Sequence, residues 1–289
     1  MTALSRARFT ALTVLFSCVW SSGFVALKIA LRDAPPLFLM CSRFFVAGAA
    51  LLVIARLRGA RRPHGWRGWA PIVVLGVLTQ GIYFGLTSIA IEHLSAGLSA
   101  VFASTNPVLL ALVAPWALGE RLTLAKAAGI AVSFAGVVWL MWGRLGAGNA
   151  PWAAALFFVC VCFFVVGTVL FKRWALTYDR VLLTAGQLLT GAVVLLPMTL
   201  LGERLDLVRV TPSMLAAQAY LTIVVSCLAM LTWLWLLDHG DATSASAFFF
   251  LNPVWGLVLG AVFLGEALTA GELTGGVAVG LGVWLVQRA

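Results

Sequence analysis

The segment NPVLLALVAPWALGERLT at residues 106–123 returns as NPVWGLVLGAVFLGEALT at residues 252–269, 146 positions later. Over the wider windows 93–138 and 239–284 the identities include His93/His239, Ala96/Ala242, Phe102/Phe248, Gly129/Gly275 and Gly136/Gly282. The Asn-Pro and Gly-Glu pairs stand thirteen apart in both copies, a spacing that apolar composition alone does not arrange. Earlier in each half a shift of 144 matches Gly23, Val25 and Lys28 to Gly167, Val169 and Lys172 and sets Arg43 opposite Gln187. The chain therefore reads as a duplication, with halves 1–147 and 148–289.

What is duplicated is membrane helix. The 289 residues are 62% hydrophobic and 10% charged, with a mean hydropathy of +1.05, against roughly 25% charged residues in a soluble chain. Ten apolar runs are long enough to cross a bilayer: 9–31, 37–57, 70–90, 94–118, 122–142, 152–171, 181–201, 214–237, 242–264 and 268–287. They leave no room for a catalytic domain outside the membrane. Runs such as 128–142 are apolar on every side, which excludes the alternating strands of a membrane barrel. The first run follows Arg6 and Arg8 but, at about 22 residues, exceeds a signal-peptide core and reads as an uncleaved span. All five cysteines fall inside apolar runs as core residues, and the three histidines lie at or beyond span ends. No metal or cofactor is expected.

The +9 net charge is mostly topology. With the N-terminus inside, thirteen of the 19 basic residues fall on the cytoplasmic side, four outside, and Lys28 and Arg43 within spans. The basic loop 56–67 reads as a retention signal touching anionic lipid, not as a nucleic-acid patch. Five spans per half is an odd number, so the second half enters the membrane from the opposite side. The loop charges agree: Arg121 and Lys126 follow the fourth span, whereas Ala267 and Glu272 occupy those places after the ninth. The expected fold is all-α and integral to the membrane, ten helices in two inverted five-helix repeats, the arrangement of alternating-access transporters. Both termini are expected in the cytoplasm.

Trp20-Ser-Ser-Gly-Phe in the first span, Arg43 in the second and the twice-occurring Asn-Pro…Leu-Gly-Glu-x-Leu-Thr…Gly pattern resemble the EamA-type branch of the drug/metabolite transporter superfamily. The resemblance covers essentially the whole chain. It implies ten helices around a central cavity and, most like the bacterial aromatic amino acid exporters, export of amino acids or small metabolites across a bacterial inner membrane.

A transport site belongs near the midplane, where Pro or Gly interrupts corresponding spans. Pro107 and Pro253 meet that description, each removing an amide and freeing the carbonyl of Ala103 or Phe249. Asn106 and Asn252 either satisfy those carbonyls or contact substrate. Ser99, Phe102 and Asn106 on the fourth span and Ser244, Phe248 and Asn252 on the ninth share helical faces. Gln80 and Tyr83 on the third and Ser226 and Trp233 on the eighth join them. The polar members also serve as helix glue. Trp20, Phe102, Phe163, Trp233 and Phe248 either wall a pocket for an apolar or aromatic side chain or pack in the core.

Arg43, roughly 9 Å deep, meets a substrate carboxylate, snorkels outward or holds carbonyls at an outer gate. Glu120 and Glu266 read as helix-end caps beside Gly119 and Gly265, with gate duty the alternative. The Gly81/Gly85, Gly256/Gly260 and Gly271/Gly275 steps are read as close helix packing.

Every acidic residue lies at a span end or in a loop, so no proton-coupling carboxylate is identified, and the pattern disfavours cationic drugs. Phosphorylated sugars would need more interior cations than Lys28 and Arg43. A net-neutral zwitterion fits best, with another small neutral metabolite or drug as the alternative cargo. An embedded enzyme lacks clustered carboxylates or a Ser/His pair within spans, and a channel is disfavoured by the inverted repeat. The partners expected are the bilayer and this cargo, with no nucleic acid. The sequence does not fix the oligomeric state and is compatible with a monomer.

Overall fold

Hydrocarbon gives a backbone amide or carbonyl no partner, so a chain this apolar is driven into helices that bond within themselves. The computed structural model describes residues 3–94, 96–144, 149–174, 178–264 and 268–288, and the described residues contain helix and no strand. In chain order the helices are α1 (Ala3–Ala30), α2 (Pro36–Leu57), α3 (Gly65–Glu92), α4 (residues 96–118) and α5 (Leu124–Met141). They continue as α6 (Pro151–Trp174), α7 (Arg180–Gly202), α8 (Pro212–His239), α9 (residues 242–264) and α10 (Ala270–Arg288).

Among the described residues nine helices, α1 to α9, are long and apolar enough to cross a membrane. The tenth expected run forms the 19-residue α10, with Glu272 in its first turn and Arg288 in its last. Leu15, Phe45, Trp116, Leu201 and Val262 are exposed on the outside of the bundle, the apolar exterior that lipid requires.

Four helices are not regular. α4 divides at Ser104 into Ala96–Ala103 and Thr105–Leu118, and α9 into Ala242–Ser246, a 3-10 turn Ala247–Phe250 and Leu251–Leu264. Each break begins a new helical segment two residues before its proline. Pro107 and Pro253 thus sit in a first turn, where a missing N–H costs little. In α4 the Thr105 hydroxyl caps the end of the preceding segment, donating to the Phe102 carbonyl at 2.6 Å.

The middles of α3 (Gly76–Leu86) and α8 (Leu221–Ala229) are π-helical, which widens the helix and is concentrated at functional positions in proteins. In α3 hydroxyls bond back to the backbone within and just after the π segment, Thr79 to Leu75 O at 2.7 Å and Ser88 to Gly85 O at 2.6 Å.

Glycines set the tightest approaches. α5 and α10 run antiparallel, and a Cβ built on Gly282 would lie 2.3 Å from Ser133 Oγ and 2.5 Å from Gly129 O. One built on Gly136 would lie 2.9 Å from Val279 N, and one on Gly275 2.6 Å from Leu140 Cβ. α2 and α7 pair similarly, with Gly48 against Leu189 and the Cys41 thiol donating to Ala192 O. Gly81 and Gly85 admit Val194 and Leu195 of α7, as their spacing predicts, whereas Gly256 faces nothing within 4 Å.

One end of the bundle is closed by charge. The turn between α8 and α9 is gripped by four neighbouring helices. The Glu120 carboxylate, at the end of α4, accepts from Ala242 N (2.7 Å), Thr243 N (3.1 Å) and Thr243 Oγ1 (2.8 Å). Lys126 of α5 pairs with Asp241 at 2.8 Å, Lys172 of α6 donates to Gly240 O at 2.6 Å, and Arg180 of α7 pairs with Asp238 at 2.5 Å. Glu120 thus caps the start of a distant helix and not the end of its own. At the opposite end Glu203 does the same for α2, accepting from Leu37 N and Phe38 N at 2.7 Å each. Glu266 lies outside the described residues.

Two stability outcomes follow from this packing. Gly282→Ala should destabilise by about 1–3 kcal/mol through overpacking, while Gly280→Ala, where a Cβ meets nothing within 4 Å, should leave thermal unfolding in detergent unchanged. Glu120→Ala strips the first turn of α9 of a charged acceptor and should cost about 1–3 kcal/mol in the same assay.

Candidate functional site

The centre of the bundle is filled by aromatic rings from five helices. α1 supplies Phe16 and Trp20, the π-helical part of α3 supplies Tyr83 and Phe84, α6 supplies Phe164, α8 supplies Trp233, and the 3-10 turn of α9 supplies Phe249. Ring centroids are 5.6 Å apart for Trp20–Phe84 and Trp20–Phe249, 4.5 Å for Tyr83–Phe164 and 4.9 Å for Trp233–Phe249. Phe44 of α2 borders the group, 6.2 Å from Phe84. Tyr83 and Phe84 come from the π turn of α3 and Phe249 from the 3-10 turn of α9, turns that re-aim side chains a regular helix would send elsewhere.

Of the aromatic residues singled out by sequence, Trp20, Tyr83 and Trp233 belong to this centre. Phe163 is only half-buried, and its neighbour Phe164 points inward. Phe248 packs instead with Ile130, Val137, Val279 and Val283 of α5 and α10, and Phe249 takes the central position. Both displacements are single residues, about 100° of helix rotation. Phe164 was findable: Cys160, Phe164, Gly167 and Phe171 form a buried stripe at helical spacing. Phe249 was not, because the Ser244–Phe248–Asn252 spacing assumes an unbroken α-helix where the chain makes a turn of three residues. Phe102 stacks on Phe157, 6.1 Å away and in a separate cluster with α6.

The polar residues divide likewise. Asn252 accepts through Oδ1 from the Ser21 hydroxyl at 3.1 Å, and Trp255 Nε1 donates to Ser17 Oγ at 2.9 Å, tying α9 to α1. Gln80 Nε2, Ser99 Oγ, Asn106 Oδ1 and Ser226 Oγ are buried without a hydrogen-bond partner among the described residues. Buried orphans of this kind are uncommon in structural cores and mark places where a ligand or water completes the bonding. Ser244 lies at the charged end, its carbonyl accepting from Gln287 Nε2 at 2.8 Å, beside a cavity of about 410 Å³ shared with Phe9, Asp238 and His239. A larger cavity of about 640 Å³ opens at the same end between Glu120, Arg121, Lys126, Lys172, Arg173 and Asp241. Arg43 is buried, 5% exposed, its guanidinium carbon 5.0 Å from the Phe44 ring centroid.

The arrangement offers apolar ring faces and a few unpartnered polar atoms. Among the described residues no three of His, Cys, Asp and Glu gather as a metal site. Flat apolar faces with a few hydrogen-bonding atoms at their edge receive an apolar or aromatic group and orient a polar one.

Comparison with known proteins agrees with a membrane carrier. The chain is 27% identical to the uncharacterized transporter YvbV of Bacillus subtilis, over 95% of this chain and 90% of that one. It is 29% identical to an uncharacterized transporter of Archaeoglobus fulgidus (95% and 94% covered) and 29% identical to the uncharacterized inner membrane transporter YedA of Escherichia coli (90% and 84%). A solved crystal structure superposes with a TM-score of 0.80 at 23% identity, covering 98% of this chain and 96% of that one, which shows the shared fold. The pattern of the EamA-like transporter family matches residues 8–142 and again 151–288. The chain is a multi-pass membrane protein and belongs to the EamA-like transporter family.

Proposed function

We propose that this transporter exports amino acids, aromatic and other neutral ones, from a bacterial cytoplasm by alternating access, with the aromatic centre as its binding site. The halves 1–147 and 148–289 act as inverted five-helix repeats, α10 being the tenth span. Supporting this, the irregular helices occur in corresponding pairs, π turns in α3 and α8 and broken helices in α4 and α9. The tight pairs α2–α7 and α5–α10 likewise each join corresponding helices of the two halves. The observation that carries the reading is the meeting of the π turn of α3 and the 3-10 turn of α9 with α1, α6 and α8 around Trp20, Tyr83, Phe164, Trp233 and Phe249. The charged end is the cytoplasmic one, and the grip on the α8–α9 turn by Glu120, Lys126, Lys172 and Arg180 is its closed gate. The inner-membrane name of the relative YedA supports the location.

Purified protein in proteoliposomes should take up labelled phenylalanine saturably, with unlabelled aromatic and aliphatic amino acids competing; absence of any saturable amino acid flux contradicts the reading. Trp233→Ala removes ring contacts worth about 1 kcal/mol each and should raise the half-saturation concentration about fivefold or more. A green fluorescent protein fused at the C-terminus should fluoresce, and alkaline phosphatase fused there should be inactive, if that terminus is cytoplasmic.

A further inference from the structure

A cation inside a membrane protein needs an anion, and Arg43 has none. At 5% exposure it forms no ion pair and no hydrogen bond among the described residues, and its Nε is a buried, unpartnered donor. The Phe44 ring at 5.0 Å offsets part of the charge and satisfies none of the five N–H groups. Two more buried donors, on α3 and α7, are stranded. Gln80 is 1% and Gln187 2% exposed, and the Nε2 of each lacks a partner.

These residues converge where α2, α3 and α7 meet. A Cβ built on Gly191 of α7 would stand 2.4 Å from Gln80 Cβ and 3.3 Å from Phe44 Cδ2. One built on Gly76 of α3 would stand 3.0 Å from Gln187 Cα. Gln80 Cβ thus packs on Gly191 and the Gln187 backbone on Gly76, about one turn apart along the α3–α7 seam, with Phe44 also against Gly191 and Arg43 next to Phe44 in the chain. Phe44 in turn touches the aromatic centre through Phe84.

Three unmatched donors and one unmatched positive charge, at the edge of the aromatic centre, describe a site for an anion. We propose that Arg43, with Gln80 and Gln187, receives the carboxylate of the transported molecule while the aromatic centre receives its side chain. The proposal rests on the aromatic centre being the transport site and names the cargo's class: an apolar or aromatic monocarboxylate, zwitterionic amino acids included. One guanidinium balances one carboxylate and matches its two oxygens with a planar fork. A phosphate dianion would leave a negative charge buried.

The test is competition against labelled phenylalanine uptake by the full-length protein in proteoliposomes. 3-Phenylpropionate, which keeps the carboxylate, should compete within about threefold of phenylalanine. Phenylalaninamide and phenethylamine, which lack it, should be weaker by about tenfold or more, the usual scale of a charge-assisted hydrogen-bond pair. In Arg43→Gln that discrimination should collapse, and thermal-shift titration of purified protein should give the same ranking independently of flux. Amide and acid competing equally against the unmodified protein, or Arg43→Gln retaining the full discrimination, overturns the carboxylate site while leaving the transporter reading intact. Absence of saturable uptake of both phenylalanine and 3-phenylpropionate by the unmodified protein overturns that reading, and the site with it.

Discussion

Backbone polar groups in hydrocarbon must find partners inside the protein, and each departure from regular helix in this chain is arranged around that demand. Pro107 and Pro253 fall in first turns, where no N–H is missed. Hydroxyls of Thr79, Ser88, Thr105 and Thr222 bond back to carbonyls around the irregular turns. The starts of α2 and α9 give their exposed N–H groups to carboxylates of other helices, Glu203 and Glu120. With backbone demands met locally, the π turn of α3 and the 3-10 turn of α9 can lie at the centre, where they aim Tyr83, Phe84 and Phe249 at the rings of α1, α6 and α8.

The two kinds of contact that hold the bundle differ in what they permit. Glycine-mediated pairs such as α5–α10 bring backbones so close that a single methyl does not fit, and such interfaces move as units. The aromatic centre consists of ring contacts worth about 0.5–1.5 kcal/mol each, which can be exchanged for contacts with a bound molecule. Between these limits stand the charged contacts around the α8–α9 turn, strong when closed and hydrated when released. In the proposed cycle the glycine pairs are the rigid parts, the charged turn the gate, and the rings the exchangeable lining.

Much of this was legible in the sequence. The nine spanning helices fall where the apolar runs place them, and Gly81 and Gly85 pack as their spacing predicts. The ends of α3 and α8 were set too short, 70–90 against Gly65–Glu92 and 214–237 against Pro212–His239. The π turns were invisible because no hydrophobic period distinguishes a wide turn from a regular one within an apolar run. That same limit displaced the inward phenylalanine of α9 from Phe249 to Phe248. Tyr83 stands out in the sequence because a large polar side chain at mid-membrane needs space and a partner, whereas Trp20 and Trp233 are marked only as mid-span aromatics, which pocket and core share. Glu203 carried no signal, since its partners in α2 are more than 160 residues away.

The proposed alternation of access at the charged end is tested most directly by locking it. Glu120→Cys with Thr243→Cys, in a protein whose five native cysteines are replaced, puts two thiols where side chains now touch at 2.8 Å. Oxidation should abolish phenylalanine exchange in proteoliposomes, and a reductant should restore it. Full exchange through the oxidised, cross-linked protein would contradict the account.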